Sequence, residues 1–198
     1  LLGTREGGTS VTVMLLAGVA ITTLSGAVIG LLTYLADDQM LRNLSLWQMG
    51  SLAAGKPVDV GLALLTLVAL LWLFMRDANP LNALLLGEGE ARHLGVNVQC
   101  LKRRLILLTA AGVGVAVAVA GMIGFVGLVV PHLVRLLAGP NHVRLLPLSA
   151  LLGAALLLGA DMLARTLLAP AEMPVGIITA LLGAPFFIWL LIKSRRTL

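Results

Sequence analysis

The feature that most restricts this chain is an uncharged run over positions 105–131, preceded by Lys102, Arg103 and Arg104 and followed by Arg135 and Arg144. About 20 apolar residues cross a bilayer as a helix, so the run can span once with residues to spare. A single crossing would put the two basic clusters in different compartments, against the tendency of Lys and Arg to collect on one side. The sequence GMIGFVGLVVPHLVRLLAGPNHVR, positions 121–144, resolves the conflict. Gly121, Gly124 and Gly127 recur at three-residue spacing ahead of Pro131, and Arg135, His142 and Arg144 follow. The chain is expected to cross, reverse near Gly121 to Gly124, and return as a short Pro-containing helix, so that both clusters face the same side.

With 59% hydrophobic and only 12% charged residues, the chain is excluded from the soluble globular class, which carries roughly twice that charge. The expected fold is all-α, a polytopic bundle of transmembrane helices. The net charge of +5 sits in short clusters at the ends of apolar runs, which is the pattern of membrane orientation and not of a nucleic-acid surface. Cys100 is the single cysteine, so neither a disulfide framework nor a CxxC metal site can form within the chain. Residues 11–35 lack the charged leader and cleavage site of a signal peptide. The start at Leu1 is expected to be a cut in a longer protein.

Taken in order, residues 11–35 form a first span whose Gly26 and Gly30 make a GxxxG, a pattern that lets helices approach closely in lipid. After Asp37 and Asp38, residues 41–54 with Trp47 suit a helix lying at the membrane surface. Lys56, Pro57 and Asp59 precede an apolar run over 60–75 that spans by borrowing its flanks, and Arg76 closes it. Residues 77–104 are the longest polar stretch. Within it Leu81, Leu84, Leu85 and Leu86 precede Gly87, and Glu88 to Leu94 precede Gly95. Two short helices docked on a surface are expected there. Residues 105–121 and 124–137 are the crossing and return. Spans over 145–168 and 175–192 follow, joined by a turn at Glu172, Met173 and Pro174, and Lys193, Arg195 and Arg196 end the chain. With the 77–104 loop inside, every Lys and Arg except Arg42, Lys56 and Arg165 is inside.

Nucleotide chemistry has no place in these residues. A phosphate-binding loop ends in Gly-Lys-Ser or Gly-Lys-Thr, whereas Gly55-Lys56 runs into Pro57. Gly112 and Gly114 open a GxG, but Val117 breaks the dinucleotide pattern. His93, His132 and His142 are too scattered for a zinc site. Asp161 and Arg165 share a helix face at i,i+4, and an ionisable pair inside a span is costly. It either neutralises itself to fix helix packing or frees Arg165 to meet a carboxylate on a partner protein. His132 is expected to hydrogen-bond the carbonyl that Pro131 leaves free, with proton transfer as the alternative. An intramembrane enzyme would need Asp161, Glu172 and His132 to converge, and they fall at different depths. A passive channel or structural subunit is a further alternative.

The segments GFVGLVVPHLVRLLAGPNHVRLLPLSALLGA and ADMLARTLLAPAEMPVGIITALLGAPFFIWLL, with GEGEARHLGV and LLAGVA before them, resemble the FecCD-type permease subunits of binding-protein-dependent ABC importers for iron chelates, haem and cobalamin. The resemblance implies a single permease domain over 1–198, equivalent to the last six of the family's ten helices, in the bacterial inner membrane. It also implies a homodimer, two cytoplasmic ATPase subunits, a periplasmic binding protein, and ATP with magnesium on the ATPase, this chain binding no cofactor or metal. On that basis Glu88, Glu90, Ala91, Arg92, His93, Leu94 and Gly95 couple to the ATPase. Arg165, with Arg42 and Lys56, docks the binding protein. Ser10, Thr12, Met40, Trp47 and Met49 line or gate the path, and Gly121, Gly124, Gly127, Pro131 and Asp161 are structural. WQMGSL, EARHLGV and the segment ending IWLL look most like haem importers, with ferric siderophores or cobalamin as the alternative cargo. No His or Tyr is placed to ligate haem iron on the outer half, so contacts with haem are expected to be apolar, with Met40 or Met49 near the mouth.

Overall fold

The computed structural model describes residues 4–5, 8–9, 11–53, 55–167 and 173–195. Among these, a minimal antiparallel ribbon of β1 (Thr4–Arg5) and β2 (Gly8–Thr9) precedes α1 (Val11–Leu35), α2 (Asp38–Gln48), α3 (Pro57–Arg76), α4 (Ala78–Leu84) and α5 (Glu88–His93). Then come α6 (Val98–Ala120), α7 (Val126–Ala138), α8 (His142–Leu167) and α9 (Val175–Arg195). Apart from the two-residue ribbon the architecture is helical, as expected. Among the described residues α1, α3, α6 and α8 are long and apolar enough to cross a membrane. Glu172 and Arg196 lie outside the described residues.

The expected reversal is present. α6 ends at Gly121, whose φ of 73° and ψ of −167° lie in a region that glycine alone adopts without strain. The chain turns again at Phe125, φ 66°, and α7 returns. Its 13 residues reach about 20 Å, short of a full crossing. α7 packs against α8 and α9, which also meet each other, and α3 packs on α6 and α8.

Two boundaries differ from the sequence-based expectation. α6 starts at Val98, not at position 105, so the polar connection is shorter than 77–104. The Asn97 side chain accepts from the Cys100 amide at 3.1 Å, and Val98 and Leu101 are buried. Lys102, Arg103 and Arg104 therefore ride on the first turns of a helix. Long basic side chains reach water from a helix end, so a charge cluster marks the membrane boundary without ending the helix. The surface helix is α2, which begins three residues before Leu41 and stops at Gln48. Asp37 caps it by accepting from Met40 N–H at 2.7 Å, and Gly50, φ 73°, prevents it from continuing to position 54.

Buried side chains are few and small. Ala160 and Ala164 of α8 meet Val175 and Ile178 of α9, while Val130 and Val134 of α7 meet Leu145 of α8. Small residues let helices approach closely where lipid gives no hydrophobic drive for association. α1 makes no comparable contact, and a Cβ added at Gly18, Gly26 or Gly30 would meet nothing within 4 Å. The GxxxG of Gly26 and Gly30 thus receives no helix of this chain among the described residues.

Candidate functional site

Chemistry-bearing side chains collect at the two ends of the bundle. At one end lies the α4–α5 hairpin. Asp77, at the α3–α4 junction, is buried, and Arg104 Nε stands 3.2 Å from its Oδ2. The guanidinium lies off the hydrogen-bond axis of that oxygen, so it neutralises the carboxylate without satisfying it fully. Gly87, φ 108°, opens α5. Gly95, φ 83°, closes it, with Val96 N–H donating to the Ala91 carbonyl at 2.9 Å and Gly95 N–H to the Arg92 carbonyl at 2.9 Å. This paired closure is a Schellman motif, for which glycine is the favoured residue.

The seven expected coupling residues fall on this one short element and its cap. Ala91 is fully buried and seats α5 against the bundle. Glu88 accepts from Lys102 Nζ, which ties α5 to α6, and lies 3.9 Å from Arg92. The Lys102 hydrogen bond, followed by its charge, holds the Glu88 carboxyl below its ordinary pKa. Glu90, Arg92, His93 and Leu94 are exposed, and Leu85 and Leu86 beside them are 51% and 67% exposed. The hairpin thus holds an apolar rim over a charged, anchored base.

The same end carries a polar group that no sequence motif marks. Asn82 of α4 donates from Nδ2 to Asn141 Oδ1 at 3.0 Å, and its Oδ1 accepts from His142 N–H at 2.7 Å. The α7–α8 link therefore sits at the same end as the hairpin, so Arg92 and Arg144 lie at one end, as the charge pattern required.

At the other end a cavity of about 410 Å³ is lined by residues including Asn43, Trp47, Ala120, Asp161, Arg165 and Met173. Arg165 Nε donates to Asp161 Oδ2 at 2.8 Å, with the arginine half-exposed and the aspartate largely covered. Geometry thus realises the ion pair while leaving Arg165 at the mouth. Of the expected path and docking residues, Trp47 and Arg165 line this cavity, whereas Met40, Met49, Arg42 and Lys56 do not. Met40 and Met49 are 62% and 45% exposed, on α2 and at its end. Arg42 and Lys56 are exposed, and the Lys56 amide donates to Asp59 at the start of α3. Ser10 lies outside the described residues, and Thr12 is described only as part of the first turn of α1.

Beside the residues that line the cavity, three glycines let the end of α2, the end of α6 and the start of α9 meet backbone to backbone. A Cβ at Gly121 would overlap the Trp47 carbonyl oxygen, one at Gly176 the Met49 carbonyl oxygen, and one at Gly50 would stand 2.8 Å from the Met122 carbonyl oxygen. Ser51 N–H donates to the Ala120 carbonyl at 2.9 Å across this junction. Nothing local in the sequence marks Gly50 or Gly176, since each is demanded by a backbone that is distant in the chain. Gly124 and Gly127 have open space around them within the chain. Pro131 lies within α7, and the His132 ring is set edge-on to Phe186, centroids 6.5 Å apart. That ring contact replaces the carbonyl hydrogen bond expected of His132. Of the residues an intramembrane enzyme would need, Asp161 lines the cavity and His132 does not. Among the described residues no cluster of His, Cys, Asp and Glu could hold a metal.

Comparison with known proteins finds relatives of this sequence and fold. The chain is 54% identical over 183 residues to the hemin transport system permease protein HmuU of Yersinia pestis, covering 92% of this chain and 55% of that protein. It is 48% identical over 182 residues to the vitamin B12 import system permease protein BtuC of Vibrio cholerae, again covering 92% and 55%. The chain thus spans about half the length of these relatives. A solved structure described as an inward-facing metal-chelate type ABC transporter superposes with a TM-score of 0.86 at 37% identity, covering 93% of this chain and 60% of that one. The match to the FecCD transport family runs over residues 1–193, and the chain belongs to that family.

Proposed function

We propose that this chain is the membrane-spanning part of an ABC importer permease, corresponding to the last six of about ten helices, that moves haem across the bacterial inner membrane. Residues 1–198 act as one permease domain, paired with a second copy, two cytoplasmic ATPase subunits and a periplasmic binding protein. The chain itself performs no hydrolysis, and ATP and magnesium act on the ATPase. The observation that carries this reading is the α4–α5 hairpin. It is anchored by Ala91 and the Glu88–Lys102 pair, yet holds Leu85, Leu86 and Leu94 exposed. Exposed leucines on a rigid, charge-tethered element are what a protein partner covers. Haem is favoured over cobalamin by the higher identity to the hemin permease, 54% against 48%.

In this mechanism the hairpin, with Glu88, Glu90, Arg92, His93, Leu94 and Gly95, sits on the ATPase, whose motion alternates access to the path between permease copies. The loaded binding protein docks over the outer cavity, where Arg165 meets an acidic group. The test is to reconstitute the full-length permease with its ATPase and ask whether hemin-loaded, ferric siderophore-loaded or cobalamin-loaded binding protein stimulates hydrolysis. Stimulation by the hemin form supports haem import; stimulation by another form alone reassigns the cargo. No stimulation by any of them refutes the importer reading. Arg165→Glu is expected to weaken binding-protein docking while ATPase association persists, and wild-type docking by that variant would remove Arg165 from the interface.

A further inference from the structure

The amide of Asn82 joins two elements that are far apart in sequence, and its geometry leaves little slack. Its Oδ1 accepts from the His142 backbone N–H at 2.7 Å and lies 2.9 Å from His142 Nδ1. An amide oxygen only accepts, so Nδ1 must carry the proton, and the reversed amide would set donor against donor. Its Nδ2 donates to Asn141 Oδ1 at 3.0 Å, and that oxygen also accepts from Val143 N–H at 3.0 Å. The first turn of an α-helix has free N–H groups that need acceptors. Here Asn141 serves one from within its own loop and Asn82 serves another from α4, 60 residues away in the chain.

The hairpin's other polar ties run to α6, through Asp77 with Arg104 and Glu88 with Lys102. Those pairs end on long flexible basic side chains, which can follow a displacement without passing it on. Asn82 has two side-chain torsions and three short contacts, so it cannot. α8 then runs 26 residues, about 39 Å, from this clasp to the outer cavity, where it presents Asp161 and Arg165.

We propose that Asn82 is a positioning residue that binds the first turn of α8 to the α4–α5 hairpin. Movement imposed on the hairpin is thereby carried along α8 to the Asp161–Arg165 pair at the outer mouth. This rests on the importer reading and adds the route by which one end of the permease informs the other.

The test uses the full-length permease with its ATPase in lipid nanodiscs, comparing wild type, Asn82→Ala and Asn82→Gln. The readout is the ratio of hydrolysis with hemin-loaded binding protein to hydrolysis without it, beside the thermal midpoint of each complex. Loss of the clasp is expected to lower that ratio about fivefold in Asn82→Ala, the equivalent of one hydrogen bond's worth of coupling. Asn82→Gln keeps every donor and acceptor but adds one methylene of slack, so its ratio is expected to fall while its midpoint stays near wild type. This second variant decides the matter if Asn82→Ala does not assemble. A lowered midpoint with an unchanged ratio in Asn82→Ala, or an unchanged ratio in Asn82→Gln when that variant alone assembles, would reduce Asn82 to a helix cap and overturn the proposal. A wild-type complex that no loaded binding protein stimulates would instead overturn the importer reading beneath it.

Discussion

Replacing Gly121 by alanine should separate the α2–α6 junction. At φ 73° and ψ −167° the backbone is in a region that costs a residue with a side chain about 1–3 kcal/mol. The new Cβ would also overlap the Trp47 carbonyl oxygen, and that oxygen belongs to backbone, which cannot rotate aside. The α2 end must therefore retreat from α6, which breaks the Ser51 N–H to Ala120 carbonyl hydrogen bond of 2.9 Å and removes about 1 kcal/mol more. Together these give a loss of about 3 kcal/mol, or roughly a hundredfold in the folded fraction. Denaturant titration of the full-length permease in detergent, with Gly124→Ala as control, measures it. Gly124 lacks a positive φ and has nothing within 4 Å of a built Cβ, so its alanine variant should stay within about 0.5 kcal/mol of wild type. Equal stability of Gly121→Ala and wild type, or equal damage from both variants, would refute this account of the junction.

Other perturbations test the hairpin end. The Glu88 carboxyl is held below its ordinary value of 4.5 by Lys102, so its stabilising tie is fully present above that value and is lost as pH falls through the lowered folded value. Amide exchange of α5, corrected for the intrinsic pH effect, should show constant protection from neutral pH to about 5 and a loss below 4.5 that Lys102→Met abolishes; the same acid loss in that variant would rule out the pair. Arg104→Ala leaves the buried Asp77 carboxylate without its neutralising charge and should cost about 3 kcal/mol in denaturant titration, well above Asp77→Asn; equal costs would show that the carboxylate is not buried as described. Thiol labels at Arg92→Cys and Arg144→Cys, in a Cys100→Ser background, should be reached from the same side of sealed vesicles. Labelling from opposite sides would refute the topology.

How much was legible in advance depended on range. Helix existence, the half-length return of α7 and the common end of Arg92 and Arg144 follow from apolar run length and the placement of Lys and Arg, which act locally or on whole segments. The i,i+4 pairing of Asp161 with Arg165 follows from helix pitch alone. Charge alone misplaces the start of α6, because the Asn97 cap and the burial of Val98 and Leu101 carry the helix further back than its basic cluster. Local pattern gives His132 a carbonyl partner, whereas its ring meets Phe186 of α9, a contact between distant elements.

The sequence by itself determined that this chain carries the apolar segments of a multi-pass membrane protein, that it folds as helices, and which basic groups gather at one end of the bundle, because those properties come from the solvation of whole segments. Only the tertiary structure decided that Gly50, Gly121 and Gly176 form one junction, that Asn82 caps α8, and that Trp47 and Arg165 share a cavity. Each depends on ångström-scale approaches between residues distant in the chain, which the pattern of residue types does not encode.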